Sequence, residues 1–300
     1  MTGKFFFDFH INKPTTHFYL MLLPYVIGLV SLILLPALIS FGLAFTQYDA
    51  FTPPEWVGLQ NLTQLFQDNL FWVALRNTLL YLGLAVVLRM GGAFLLALLL
   101  QARGRGLDLA RLTIYLPTVI PEIAYALIWL VALNPRYGPI NVLLGALHLP
   151  TPIWAGEPWP ALIALVLMAA WQLGEGFIIL LVSLKDIPTP LYESAAIDGA
   201  GAWARFRHIV FPLLLPRLLL LTARDLIIGL QANFVPSLIV TKGGPGYATL
   251  FLPLYTFFLA FDDFRFGYAA AVVWTLYLIT FLIIGFQYFI GKRWQYTEAY

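Results

Sequence analysis

Six stretches of this 300-residue chain are apolar enough, and long enough, to cross a lipid bilayer, and they leave little sequence for anything else. A bilayer core of about 30 Å needs roughly 20 apolar residues in a helix. The stretches run over about 18–45, 77–100, 112–133, 160–184, 212–240 and 267–290. They predict an all-α, polytopic membrane protein with a single transmembrane domain over residues 1–300 and no soluble domain. Composition agrees. The chain is 61% hydrophobic and 11% charged, whereas a soluble domain is about a quarter charged. The first stretch is too long for the apolar region of a signal peptide and is interrupted by Pro24 and Pro36, so it reads as an uncleaved first span.

Lys and Arg in short loops set orientation. With the N-terminus inside, ten loop cations fall on the cytoplasmic side: Lys4, Lys13, Arg103, Arg105, Arg111, Lys185, Arg205, Arg207, Lys292 and Arg293. Three fall outside: Arg136, Lys242 and Arg265. Both termini are therefore expected in the cytoplasm. Trp56, Trp72, Trp159 and Trp294 sit near span ends, as interfacial anchors do. A net charge of +2 offers nothing to nucleic acid. The absence of Cys excludes disulfides, Cys-ligated metal and thiol nucleophiles. None of the four histidines lies inside a span, and no metal or nucleophile constellation supports a membrane enzyme.

The loop at 185–211 is the most informative part of the chain. Residues 188–216 read PTPLYESAAIDGAGAWARFRHIVFPLLLP. Thr189 can cap a helix that begins at Pro190. Gly199 and Gly201 offer a turn, and a second short helix through Trp203, Phe206 and Ile209 reaches Pro212, where the next span begins. The run of small residues from Ser194 to Ala202 leaves two readings open, close approach of another protein or tight packing on this chain's own helix ends.

This stretch resembles the EAA motif of ABC importer permeases, in the form found in carbohydrate-uptake subunits of the maltose and glycerol-3-phosphate type. The resemblance rests on Glu193, Ala195, Ala196, Asp198, Gly199, Ala200, Phe206, Ile209, Pro212 and Pro216, with Ser194 in place of the usual alanine. It implies a cytoplasmic coupling helix that docks in a cleft of a separate ATPase. A second match is IVTKGGPGYAT at 239–249, where Thr241, Gly243, Gly244, Pro245 and Thr249 are similar to the family's loop facing the external binding protein. GLQNLTQLFQD at 58–68 and FWVALRNTLLY at 71–81 look like its first outer loop and second span. The family implies further partners: an ATPase dimer holding ATP and Mg²⁺, a second permease in a heterodimer, and a solute-binding protein. The chain itself has no G-x-x-x-x-G-K-[ST] phosphate loop, so no cofactor is expected in it and ATP hydrolysis falls to the partner.

Charges inside the spans are costly and mark either ion pairs or a wet path. Arg89, Glu122, Glu175, Arg224 and Asp225 are such charges. The charge balance suggests Arg89 with Glu122 or Glu175, and Arg224 with the other. Neighbours on a helix diverge by about 100°, so Arg224 and Asp225 are not expected to pair with each other. Trp171, Gln172 and Glu175, on a glycine-flanked and flexible segment, suit a hydroxyl-rich ligand, as do Gln231 and Asn233. Interhelical hydrogen bonding is the competing role. Pro117 and Pro121 should kink or break the third span. The expected function is import of a sugar or related polyol. The rival is an ion-gradient transporter using Glu122, Glu175 and Asp225 as proton sites, which gives no reason for the 188–216 motif.

Overall fold

The computed structural model describes residues 14–102 and 104–292. Lys4, Lys13, Arg103, Arg293 and Trp294, used above, lie outside them. Helix dominates. Helix α1 runs Pro14–Leu29, passes through a π-helical turn at Val30–Leu34 and continues as Leu35–Leu43. A two-residue antiparallel ladder follows, β1 (Thr46–Gln47) against β2 (Glu55–Trp56), with Thr46 opposite Trp56. Then come α2 (Gln60–Gln67), α3 (Asn69–Leu99), α4 (Arg105–Tyr115, extended by a 3₁₀ turn to Val119), α5 (Glu122–Ala132) and α6 (Pro139–Ala146). Helices α7 (Pro158–Trp171), α8 (Gly174–Lys185) and α9 (Thr189–Ile197) lead to α10, which runs unbroken from Ala202 to Gly229 through a π turn at Phe206–Val210. The chain ends with α11 (Phe234–Pro236 and a π turn to Thr241), α12 (Leu252–Phe257 and a π turn to Asp262) and α13 (Phe266–Lys292).

Three of these helices are long and apolar enough to cross a membrane: residues Phe18–Leu43, Asn69–Leu99 and Phe266–Phe289. Two bent pairs raise this to five if each pair is one span, α4 with α5 at 107° and α7 with α8 at 42°. The six-span reading adds α10, whose 19-residue stretch Phe211–Gly229 carries Arg217, Arg224 and Asp225.

Each departure from a straight span has a local cause. At the first bend, Pro117 and Pro121 deny the chain two helical donors, and Pro121 holds an extended ψ of 138° just before α5. At the second, Gln172 and Leu173 leave the helix between Trp171 and Gly174. The apolar window at 212–240 is not one helix. It ends at Gly229, turns through Leu230–Asn233 and restarts at Phe234. Pro236 cannot sit deep in a helix without losing a donor and clashing with the carbonyl four residues back, but it fits the first turn of a new one. Hydropathy alone cannot see that stop.

Helix α3 is the central post. Its 31 residues span about 46 Å at 1.5 Å rise each. The main core gathers around it: Phe71, Leu82 and Met90 of α3 pack with Phe177 and Leu180 of α8, Leu214 and Leu221 of α10, and Leu252 and Leu254 of α12. A second cluster joins Tyr81 and Ala85 to Tyr125 of α5 and Leu162 and Leu165 of α7. Here the Tyr125 hydroxyl donates to Met168 O at 2.7 Å. Gly174 and Gly176, expected to loosen their segment, instead allow close packing. A Cβ on Gly176 would lie 2.8 Å from Met90 Cε, and one on Gly174 2.8 Å from Ile114 O.

Candidate functional site: an ion-pair chain between two docking ends

Four intramembrane charges form a chain across α3, α10 and α8. Arg89 Nε lies 3.2 Å from Asp225 Oδ2. Arg224 Nη1 lies 3.8 Å from Asp225 Oδ1, and Arg224 Nη2 is hydrogen-bonded to Glu175 Oε2. This corrects the sequence expectation in two respects. Arg89 pairs with Asp225 rather than with Glu122 or Glu175. Arg224 and Asp225, though adjacent, touch because the long guanidinium folds back toward the carboxylate. Glu122 makes no ion pair among the described residues; it sits in the first turn of α5, where the helix dipole favours an acid. The two arginines and two acids cancel. Asp225 is 1% exposed, but neither of its oxygens receives a well-directed hydrogen bond among the described residues. Glu175 and Arg224 are about two-fifths exposed. An ion pair exposed within a membrane span cannot face hydrocarbon cheaply; water or another polar protein surface would satisfy it.

The remaining path residues are not gathered around Glu175. Trp171 meets Trp129 edge-on at 6.5 Å and lines an apolar cavity of about 410 Å³ with Pro117 and Leu173. Gln172 sits in the bend after Trp171. Gln231 is exposed in the turn after Gly229. Asn233, in the same turn, is 1% exposed, with neither side-chain polar atom hydrogen-bonded among the described residues. No hydrogen bond joins these four to Glu175 among the described residues.

The loop at 185–211 divides by face. Helix α9 starts at Thr189 with Pro190 in its first turn and no side-chain cap, one residue before the expected start. It ends in a Schellman motif: Ala200 N donates to Ala195 O at 2.8 Å, Gly199 N donates to Ala196 O at 3.1 Å, and Gly199 holds φ +74°. The expected second short helix is the first turn of α10. Tyr192, Phe206 and Ile209 pack on the chain's own core, and burial pushes the Tyr192 hydroxyl above its usual pKa. Phe206 stacks on Trp203 at 5.4 Å and reaches Phe94 of α3 at 6.1 Å. The opposite face is bare. Ile197 is 88% and Trp203 69% exposed, and Glu193, Ala196, Asp198 and Gly199 are exposed too, with Ala195 and Ala200 half-buried. A Cβ built on Gly199 or Gly201 would meet nothing within 4 Å. Packing within the chain leaves room for larger side chains at 199 and 201, although the left-handed φ at Gly199 favours glycine.

At the other end of α3 lies the loop 241–249. Thr249 Oγ1 is 2.7 Å from both Gly244 O and Thr241 Oγ1, and Thr241 donates to Ser237 O at 3.0 Å. These contacts close a knot in which Gly243, at φ +79°, makes the turn before Gly244 and Pro245. Asn77 of α3 donates to Tyr247 O at 2.7 Å, pinning the loop to that end. Beside it, Asp68 caps α3 by accepting from Leu70 N at 2.9 Å. Its second oxygen accepts from the Tyr268 hydroxyl at 2.7 Å and from that of Tyr255. Burial alone would raise the Asp68 carboxyl; the two hydroxyls and the amides of Leu70 and Phe71 outweigh it and hold its pKa below the usual carboxylate range. The sequence reading missed Asp68, although an Asp before an apolar run is a cap signal.

Known proteins share this fold. Residues 90–296 match the family described as the binding-protein-dependent transport system inner membrane component. A probable ABC transporter permease of Bacillus subtilis, YesP, is 34% identical over 294 residues, covering 96% of this chain and 94% of its own. The trehalose/maltose transport system permease MalF of Thermococcus litoralis is 30% identical over 89% of this chain and 91% of its own. A chain of the bacterial alginate ABC transporter, crystallised with a periplasmic protein bound to an alginate pentasaccharide, shares the fold at a TM-score of 0.81 and 24% identity, covering 93% of this chain and 94% of that one. The chain belongs to the inner membrane components of binding-protein-dependent transport systems: it is a permease subunit and not an ATPase.

Proposed function

We propose that this permease carries a sugar or related polyol into the cell as one of two different transmembrane subunits, driven by a pair of ATPase subunits that hold ATP and Mg²⁺. Relatives whose names specify trehalose/maltose and lactose support the substrate class. Helix α9 and the turn at 198–201 serve as the coupling element. The observation that carries this is the bare face around Ile197 and Gly199, set on a base fixed by Tyr192 and Phe206. An 88% exposed isoleucine beside a glycine turn with open space around it suits insertion into an apolar socket of a partner. That end of α3 is then cytoplasmic, both termini included, and the Thr241–Thr249 knot faces the solute-binding protein. Substrate passes the half-exposed Glu175–Arg224 pair, with Trp171, Gln172, Gln231 and Asn233 as further contacts.

The test is gentle-detergent co-purification of the native complex with subunit identification by mass spectrometry. An ATPase and a second permease are expected, and Ile197→Asp should release the ATPase while leaving the permease folded in the membrane. Retention of the ATPase by that variant would remove Ile197 from the interface. Uptake by this chain alone in ATP-free vesicles would replace the proposal with gradient-driven transport.

A further inference from the structure

We infer that the end of the molecule away from the coupling loop carries a preformed carbohydrate subsite, built by α2, the β1–β2 turn and the start of α13. The inference rests on the sugar-import reading above and adds a site outside the membrane path. Two adjoining concavities of about 440 and 550 Å³ share Gln64, Asp263 and Arg265 as a common wall. Both volumes lie in the range of small-ligand sites.

The frame is rigid. Asn61 is buried, and its amide donates to Ala44 O and Thr46 O, each at 2.9 Å. Gly267 lets α13 close against β1: a Cβ there would lie 2.0 Å from Thr46 O, and its amide donates to Tyr48 O at 3.2 Å. Asp49 ties the turn by accepting from Phe51 N and Thr52 N. Two residues other than glycine, Ala50 and Phe264, hold left-handed φ of 69° and 55°, and the rings of Phe51 and Phe264 meet at 5.3 Å. Such backbone conformations persist only where the surroundings impose them.

Several polar side chains that line that frame have no partner among the described residues. Among the described residues the side-chain amides of Gln60, Gln64 and Gln67 make no hydrogen bond, and Arg265 makes no ion pair although Asp263 shares the same wall. The guanidinium instead lies 4.4 Å over the Tyr268 ring, which fixes it in place. Amides, a carboxylate and a guanidinium supply both donors and acceptors for the hydroxyls of a sugar. Tyr48 and Phe264 add aromatic surface for the C–H face of a sugar ring. A protein-docking patch centres on apolar anchors, and here the shared wall is polar. The concavities elsewhere, such as that of Leu219, Leu220 and Ile284, are lined almost wholly by carbon and suit lipid tails.

The test is saturation-transfer NMR on the full chain in nanodiscs, with maltotetraose, cellotetraose, chitotetraose and tetragalacturonate as probes. At least one probe should bind. Gln64→Ala/Arg265→Ala should weaken it about tenfold, the loss of roughly two hydrogen bonds. Gln60→Ala/Gln67→Ala, which keeps Arg265 over the Tyr268 ring, should act in the same direction. Glu175→Gln should leave the signal in place, separating this subsite from the membrane path. No transfer to any probe, or equal transfer in the wild type and both double variants, would overturn the subsite. So would an unchanged signal combined with weaker docking of the solute-binding protein, which would assign the cleft to protein contact. None of these outcomes depends on ATPase co-purification, so the importer reading stands or falls separately.

Discussion

Asp225 is where a single side chain carries the largest energetic risk. It is almost fully buried, and Arg89 is its nearest charge. Removing one member of a buried pair strands the other charge and costs about 3–5 kcal/mol, whereas replacing both with apolar side chains can be nearly neutral. Asp225→Leu should therefore lower thermal stability in detergent sharply. Arg89→Met/Asp225→Leu should recover to within about 1 kcal/mol of the parent. Thermal unfolding of the two single variants and the double variant measures this as a coupling energy. Additive losses would mean that the two residues do not act as a pair. Gly199 poses a different problem at the same scale. Its φ of +74° is strained for any other side chain, and its surroundings are open. Gly199→Val should cost about 1 kcal/mol of local strain, yet greatly reduce ATPase capture, because the added bulk projects toward the partner. Pull-down yield against unfolding temperature separates the two effects.

At the scale of elements, α3 depends on how it begins. Asp68 caps its first turn and also gathers Tyr255 and Tyr268 from α12 and α13. Asp68→Ala would lose the cap and leave two hydroxyls without their acceptor, a cost of about 2–3 kcal/mol. The folded-state pKa of Asp68 is depressed, so its contribution is fully present above the unfolded carboxylate pKa, near 4, and is lost as pH falls through the folded value. The wild type should lose stability on acidification below about pH 4, and Asp68→Ala should lose less over the same interval; parallel losses would show that other carboxylates control acid sensitivity. Elements are also where the sequence was read most and least well. The apolar windows were legible because lipid demands them, and the break near Pro117 and Pro121 because proline lacks a donor. The stop at Gly229 was hidden from hydropathy, since Gln231 and Asn233 are diluted in the apolar run 230–240, and Pro236 was the local sign of a restart. The ion-pair partners were illegible for a related reason. Which acid meets Arg89 depends on how α3 and α10 are rotated against each other, and no spacing within one helix encodes that. The two faces of the 188–201 loop were half legible: the pattern of small residues was visible, but the empty space around Gly199 and Gly201 was not.

At the scale of the whole molecule, the two ends of α3 are organised differently. One end presents Ile197 and Trp203 on a stiff turn next to Phe94. The other presents the Thr241–Thr249 knot and the cleft around Gln64, pinned by Asn77 and Asp68. An importer of this design needs those ends on opposite sides of the membrane, with the ATPase below and the solute-binding protein above. The chain has no cysteine, so its topology can be read without background. Ile197→Cys and Gln64→Cys both place a thiol at an exposed position. In right-side-out vesicles a membrane-impermeant maleimide should label Gln64→Cys and spare Ile197→Cys; in inverted vesicles the pattern should reverse. Bound ATPase should further protect Ile197→Cys in the inverted preparation, and release of the ATPase should restore labelling. Labelling of both positions from one side would break the argument at its base, because the coupling turn and the binding-protein face would then share a compartment and could not relay ATP-driven closure across the bilayer.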